Sequence, residues 1–168
     1  MPRTGEASNA TVPYQGRGKV QDLQWLPCPG GPPPISNQID WTRYFVRQQY
    51  LDILHREPDE GGWNAWTSVI TRCGFDTNCI HSNRIVTARG FLESPENFAN
   101  DPNLVNPGSH EYNREYVRLC YTSFLQRNPD AGGWDAWTNY IDANPGQYDT
   151  LVGGFIDSIE YRSRFGPP

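Results

Sequence analysis

Residues 56–63 read Arg56-Glu-Pro-Asp-Glu-Gly-Gly-Trp63, and residues 127–134 read Arg127-Asn-Pro-Asp-Ala-Gly-Gly-Trp134. The similarity extends beyond this turn, because 14 of the 26 residues from 45 to 70 are identical to those found 71 positions later. A duplication of this size is typical of a supersecondary unit that buries its apolar face against a neighbouring copy. The repeat therefore predicts architecture first and says little about chemistry.

From Asp40 onward, each copy has the pattern of a helix, a tight turn, a second helix, a loop and a third helix. Apolar side chains recur at helical spacing in the first helix, as in Phe45, Val46 and Tyr50. A unit of about 60 residues is marginally stable alone. We therefore predict an all-α protein whose two pseudo-repeated three-helix units pack together. The predicted segments are an extended Pro-rich arm (1–38), helical repeat 1 with a disulfide loop (39–100) and helical repeat 2 (101–168).

The four cysteines predict an oxidising, extracellular location. Cys73 and Cys79 enclose a short polar turn, and they coincide with seven residues that the second copy lacks. A local bridge there leaves Cys28 to pair with Cys120, within one chain or between two. The alternative is four reduced thiols. No CxxC or HxxxH spacing favours zinc.

The repeated turn is the first candidate for a functional site. Each proline ends a helix, and Asp59 and Asp130 are placed to cap the next one. Two successive glycines in a helical first turn are costly, so both copies need a reason for them. One explanation is that two helices approach each other closely at the glycines. A second is that the helix N-terminus is left open to bind an anion. A third is that the aspartate binds calcium together with Asn64 or Asp135. The candidate residues are Asp59, Gly61, Gly62, Asp130, Gly132 and Gly133.

Two further sets of residues recur with the turn. Trp63 and Trp66 lie three apart on one helix face, as do Trp134 and Trp137. Such rings predict core packing, with stacking on a sugar as the alternative. Two pairs of arginines also recur, Arg47 with Arg118 and Arg56 with Arg127. Arg56 and Arg127 lie at a helix end, which predicts a structural salt-bridge or capping role for them.

Composition argues against several classes of function. The net charge is −5 and Lys19 is the only lysine, so nucleic acid and anionic membranes are poor partners. No run of 18 apolar residues and no secretory leader is present, and we expect no membrane insertion. The three histidines are not repeated and no nucleophile motif occurs, so we expect no enzyme activity and no cofactor.

The chain resembles the bacterial domain of unknown function 4214 family in three stretches: residues 45–66, the loop Cys73-Gly-Phe-Asp-Thr-Asn-Cys79 and residues 84–96. The resemblance covers residues 40–98 specifically and residues 112–165 less completely, as two tandem copies. Its Arg-x-Pro-Asp turn is similar to one in phycobilisome linker domains. The resemblance implies an all-α, noncatalytic module of large secreted and surface proteins, with no agreed ligand.

The arm before the repeats offers apolar anchors on a proline-stiffened backbone, namely Leu23, Trp25, Leu26 and Ile35. Such a segment suits insertion between the helices of an adjacent subunit. We therefore predict a noncatalytic extracellular structural or adhesive module, whose partner is a protein and includes itself as a homo-oligomer or filament. The alternative is a glycan-binding module that uses the paired tryptophans.

Overall fold

The computed structural model describes residues 37–167, and every regular element in that range is a helix. The all-α prediction is confirmed. After a single 3₁₀ turn (Gln38–Asp40), the first repeat contains α1 (Thr42–Ile53), α2 (Glu60–Thr71), α3 (Thr77–Leu92) and α4 (Pro95–Asn100), and the second contains α5 (His110–Phe124), α6 (Ala131–Ala143), α7 (Tyr148–Ile156) and α8 (Ile159–Ser163).

Each repeat therefore adds a short fourth helix to the three that were predicted. Ser94 caps α4 by accepting a hydrogen bond from the Asn97 N–H, and Ser158 caps α8 by accepting one from the Tyr161 N–H. These helices span only one or two turns, which is too short for a hydrophobic period to reveal them. Their capping serines are the signal that the sequence did contain.

The two repeats are halves of one compact unit rather than separate domains. Helix α3 of the first repeat packs against α7 of the second, and α1 packs against α5. Gly153 on α7 allows the close approach, because a Cβ there would lie 3.1 Å from Ile85 Cδ1 on α3. The predicted packing of the copies against each other is thus observed, and a core continuous between them compensates for the small size of each.

The end of the second repeat returns to the first helix of the chain. Tyr161 on α8 is fully buried, and its hydroxyl accepts a hydrogen bond of 3.2 Å from the Gln49 side chain on α1. Arg164, just after α8, donates two hydrogen bonds of 2.9 Å to the Asp52 carboxylate on α1. These contacts join residues more than one hundred positions apart.

The predicted local bridge between Cys73 and Cys79 is present, with the two Cα atoms 5.6 Å apart. It joins the link between α2 and α3 to the first turn of α3, in the region where the first repeat has seven residues that the second lacks. Phe75 lies in this link and is 85% exposed. Asp76 then caps α3 by accepting hydrogen bonds from the N–H groups of Asn78 and Cys79.

The second predicted bridge stays a prediction. Cys120 is a buried free thiol on α5, and burial raises its pKa well above the ordinary thiol value. Most of the arm lies outside the described residues, and so do Cys28 and the predicted anchors Leu23, Trp25, Leu26 and Ile35. Within residues 37–167, no helix combines the length and apolar character that crossing a bilayer requires.

Candidate functional site: the repeated turn and an aromatic cleft

The repeated turn makes the same capping hydrogen bond in both copies. Asp59 Oδ1 accepts from the Gly62 N–H at 2.8 Å, and Asp130 Oδ1 accepts from the Gly133 N–H at 2.8 Å. These bonds lower the pKa of both carboxyls, because they favour the ionised form. Each aspartate therefore satisfies an N–H group at the start of α2 or α6 that an incoming anion would otherwise use.

The arginine of each turn fastens it to the fourth helix of its own repeat. Arg56 forms a two-pronged ion pair with Glu96 on α4, at 2.6 and 2.9 Å, and Arg127 pairs in the same way with Glu160 on α8. Each guanidinium also lies 4.9 Å from the centre of a tyrosine ring, that of Tyr50 or its counterpart in the second repeat. The two copies of the turn therefore make the same contacts with their own repeats.

The second glycine of each pair has a packing reason. A Cβ on Gly62 would lie less than 3.0 Å from the hydroxyl oxygen of Tyr50, and a Cβ on Gly133 would meet Tyr121 in the same way. A Cβ on the first glycine of each pair, Gly61 or Gly132, would make only ordinary van der Waals contacts. Close helix approach therefore explains one glycine in each pair.

The residues proposed to help a calcium ion are engaged elsewhere. Asn64 accepts a hydrogen bond of 2.8 Å from Arg43, and Asp135 accepts one of 2.8 Å from Arg114. Among residues 37–167 there is no cluster of three or more acidic, histidine or cysteine side chains suited to a metal. Calcium at the turn stays a prediction that no observed ligand cluster supports.

The repeated tryptophans are partly buried against the core. The indole N–H of Trp63 donates to the Arg43 carbonyl, and the Arg43 guanidinium lies 3.9 Å over the ring; Trp134 has the same two contacts with Arg114. Trp66 and Trp137 lie over Gly90 and Gly154, where a Cβ would collide with the indole. The rings thus make extensive packing contacts.

The other repeated arginines form ion pairs. Arg47 pairs with Glu57, the residue just before the repeated proline. Arg118 pairs with Asp101 in the linker between the repeats, at 2.7 Å, and with Glu115 at 2.8 Å. Arg47 and Arg118 therefore make ion pairs as well, although with different kinds of partner in the two repeats.

Asp59→Ala should lower the melting temperature by a few degrees at neutral pH, because it removes a helix cap. The folded-state pKa of Asp59 is lowered, so its contribution is present above the unfolded pKa of about 3.9 and is lost as the pH falls through the folded value. Melting curves of the wild type and of this variant should therefore converge in acid. Circular dichroism between pH 7 and pH 2 measures this.

Asp59→Asn is the matched control, because asparagine caps a helix without titrating. It should keep most of the stability and lose the acid dependence. The result should be equal with and without calcium. A calcium-dependent rise in melting temperature that either substitution abolishes would mean that the turn is a metal site.

A cleft of about 440 Å³ opens between the end of α3 and the helices α5, α6 and α7. Tyr112 and Tyr148 line it with their ring centres 6.2 Å apart, and the fully buried Tyr116 packs behind Tyr148 with the ring centres 4.8 Å apart. Burial raises the pKa of Tyr112 to about 12, so its hydroxyl stays neutral at physiological pH. The cleft therefore combines aromatic surface with neutral hydroxyl groups.

A network of hydrogen bonds holds the polar side chains of the cleft in place. Asn113 is buried, donates to Asp142 at 2.7 Å and accepts from the Tyr148 hydroxyl at 2.5 Å. Asp142 also pairs with His110 at 2.5 Å, and the bonds from Asn113 and His110 lower its pKa. These hydrogen bonds link side chains of α5, α6 and α7.

Residues 105–165 match the family model described as Domain of unknown function (DUF4214). This match is a single copy that spans α5 to α8, so the DUF4214 match falls on the second repeat. That is the reverse of the expectation that residues 40–98 resemble the family more specifically. No curated protein matches the chain.

Sequence reasoning did not identify the cleft. Arg89, Asn113 and Asp142 have no identical counterpart in the other copy, and Glu93 is matched by Asp157, so the repeat gave no reason to group these four residues. One signal was present: the stretch from Ile141 to Phe155 is seven residues shorter than that from Ile70 to Phe91, and in the structure most of this difference is the greater length of α3 over α7. Taken alone, that difference predicts only an insertion closed by a disulfide.

Proposed function

We propose that this protein is a noncatalytic extracellular structural or adhesive module that holds proteins together and assembles with copies of itself. The observation that carries this proposal is Phe75, which is 85% exposed in the link closed by Cys73 and Cys79. Aromatic side chains supply much of the binding energy of protein interfaces when a partner buries them. The disulfide restrains this link, so that little conformational entropy remains to be lost on binding.

Two further features support the proposed extracellular location and the proposed noncatalytic role. Disulfides persist in oxidising environments, so the Cys73–Cys79 bridge favours secretion or display on a cell surface. His81 and His110 pair with the carboxylates of Asp157 and Asp142. Neither pairing places a histidine beside a serine or cysteine nucleophile, which supports a binding role over a hydrolytic one.

The shared geometry of the turns supports a second, diverged DUF4214 domain at residues 39–100. Both repeats have the same aspartate cap and the same arginine pair to a fourth helix. The similarity of the turn to phycobilisome linker domains rests on the sequence resemblance alone. The alternative of sugar stacking on the paired tryptophans is less favoured, because Arg43 and Arg114 lie over two of the four rings.

Phe75→Ser and a deletion of residues 1–36 test the proposal. We expect the full chain to associate in a concentration-dependent manner. Phe75→Ser should weaken this association by about tenfold or more, because an interface anchor is lost. The deletion should abolish higher-order assembly and leave the helical repeats folded. Light scattering coupled to size-exclusion chromatography measures the mass, and circular dichroism reports the fold.

Val105→Ser is the matched control, since Val105 is an exposed apolar residue of the linker between α4 and α5 and is not part of the disulfide loop. It should associate like the wild type. A full chain that is monomeric at every concentration would overturn the proposal. So would assembly that survives both Phe75→Ser and the deletion.

A further inference from the structure

The cleft lies where the end of α3, from the first repeat, meets helices α5, α6 and α7 of the second. In the second repeat, α6 and α7 are joined by the short link Asn144–Gln147, which places Pro145 and Gly146 at the rim. Pro107 and Gly108, just before α5, also line the cleft. A Cβ added at Gly108 or Gly146 would meet nothing within 4 Å, so the rim is open there. The volume lies within the range of small-molecule sites, roughly 300–1,000 Å³.

Arg89 and Glu93, one helical turn apart on α3, retain unused hydrogen-bonding atoms in this cleft. Glu93 Oε1 accepts from Arg89 Nε at 2.7 Å and from the Tyr116 hydroxyl at 3.3 Å, and Arg89 Nη1 donates to Asp149 at 3.1 Å. Arg89 Nη2 and Glu93 Oε2 make no hydrogen bond to any other described residue. A donor and an acceptor held side by side match two adjacent hydroxyl groups of one ligand.

The charges of the cleft exclude the main alternatives to a neutral ligand. Glu93 and Asp142 line it together with the single cation Arg89, so an anionic ligand would meet repulsion. Each carboxylate already has partners, Arg89 for Glu93 and His110 with Asn113 for Asp142. A cationic ligand would therefore have to replace existing pairs. Aromatic rings favour the C–H groups of a sugar ring, which carry partial positive charge toward the ring face.

We propose that this cleft, between α3 and helices α5 to α7, binds a neutral sugar residue. The partly exposed ring of Tyr148 contacts the apolar face of the sugar, and Arg89 and Glu93 bind two adjacent hydroxyls. Tyr112 is buried and packs edge-on against the Tyr148 ring, which it holds in place. Asn113 positions Tyr148 and Asp142 and is a positioning residue. This site is independent of the disulfide loop and of the repeated tryptophans, so it extends the module to a glycan partner without depending on self-assembly.

Titration of the full chain with neutral trisaccharides of glucose, mannose or galactose tests the site. Amide chemical shifts in NMR should change at α3, the start of α5 and the α6–α7 link for at least one of these sugars. Arg89→Lys and Glu93→Gln should each weaken binding by about tenfold, because each removes or weakens a directional hydrogen bond. Both variants should keep the wild-type circular dichroism spectrum.

Arg56→Lys and Glu96→Gln are matched controls, because they alter the same kind of ion pair outside the cleft. They should bind sugar like the wild type. Trigalacturonic acid and a trilysine peptide complete the experiment as acidic and cationic probes. The proposal is overturned if no neutral trisaccharide binds, if Arg89→Lys and Glu93→Gln bind as well as the controls, or if a charged probe binds more tightly than every neutral sugar.

Discussion

Arg164→Ala should destabilise the protein by about 3–5 kcal/mol, because it leaves the Asp52 carboxylate buried without its counter-ion. The Asp52 side chain is only 5% exposed, and that of Arg164 is 21% exposed. Arg164 also donates to the Phe124 carbonyl, so its removal affects α5 as well as α1. A loss of this size is a large part of the roughly 5–15 kcal/mol that stabilises a typical domain. Urea denaturation followed by circular dichroism measures it.

Arg47→Ala is the appropriate comparison, because Arg47 forms an exposed ion pair with Glu57. An exposed pair contributes at most about 1 kcal/mol. Replacing both buried partners, as in Asp52→Leu with Arg164→Met, should recover much of the stability by removing the unpaired charge. Equal stabilities of Arg164→Ala and Arg47→Ala would show that Asp52 is solvated in solution and that the closure by α8 is not important for stability.

The local features of this chain were predictable because their causes lie within a few residues of one another. The aspartate caps follow from the turn sequence, and the Cys73–Cys79 bridge follows from two thiols six residues apart around a short polar turn. The same reasoning placed Arg56 and Arg127 in ion pairs. It could not name their partners Glu96 and Glu160, which lie 40 and 33 residues away.

Features that depend on long-range contacts produce no local pattern in the sequence and could not be predicted from it. Asp52 and Arg164 are separated by 112 residues, and each looks like an ordinary surface residue in sequence. The cleft is a second example, because it forms where the repeats differ and pattern analysis follows what they share. Tyr148 lines it from a position that holds Arg84 in the first repeat, where the guanidinium lies 4.3 Å from the Phe45 ring centre.

Gly62→Ala should destabilise the protein by about 1–3 kcal/mol, as expected for overpacking in a close helix contact. Alanine normally favours a helix over glycine by up to about 1 kcal/mol, so the substitution would stabilise α2 if space were available. The added methyl instead meets the Tyr50 hydroxyl. The Tyr50 ring is held against Phe91, with ring centres 4.7 Å apart, and cannot move away freely. Thermal and urea denaturation measure the change.

Gly61→Ala, one residue earlier, should be neutral or stabilising, because a Cβ there has only an ordinary contact of 3.4 Å with Asp59. The decisive variant is Gly62→Ala combined with Tyr50→Phe. Removing the hydroxyl clears the space, and that oxygen makes no hydrogen bond to the described residues, so the double variant should regain most of the lost stability. Gly133→Ala with Tyr121→Phe should behave in the same way in the second repeat. If Gly62→Ala stays equally destabilising with phenylalanine at position 50, the collision is not its cause, and the paired glycines must serve the backbone N–H groups of the turn instead.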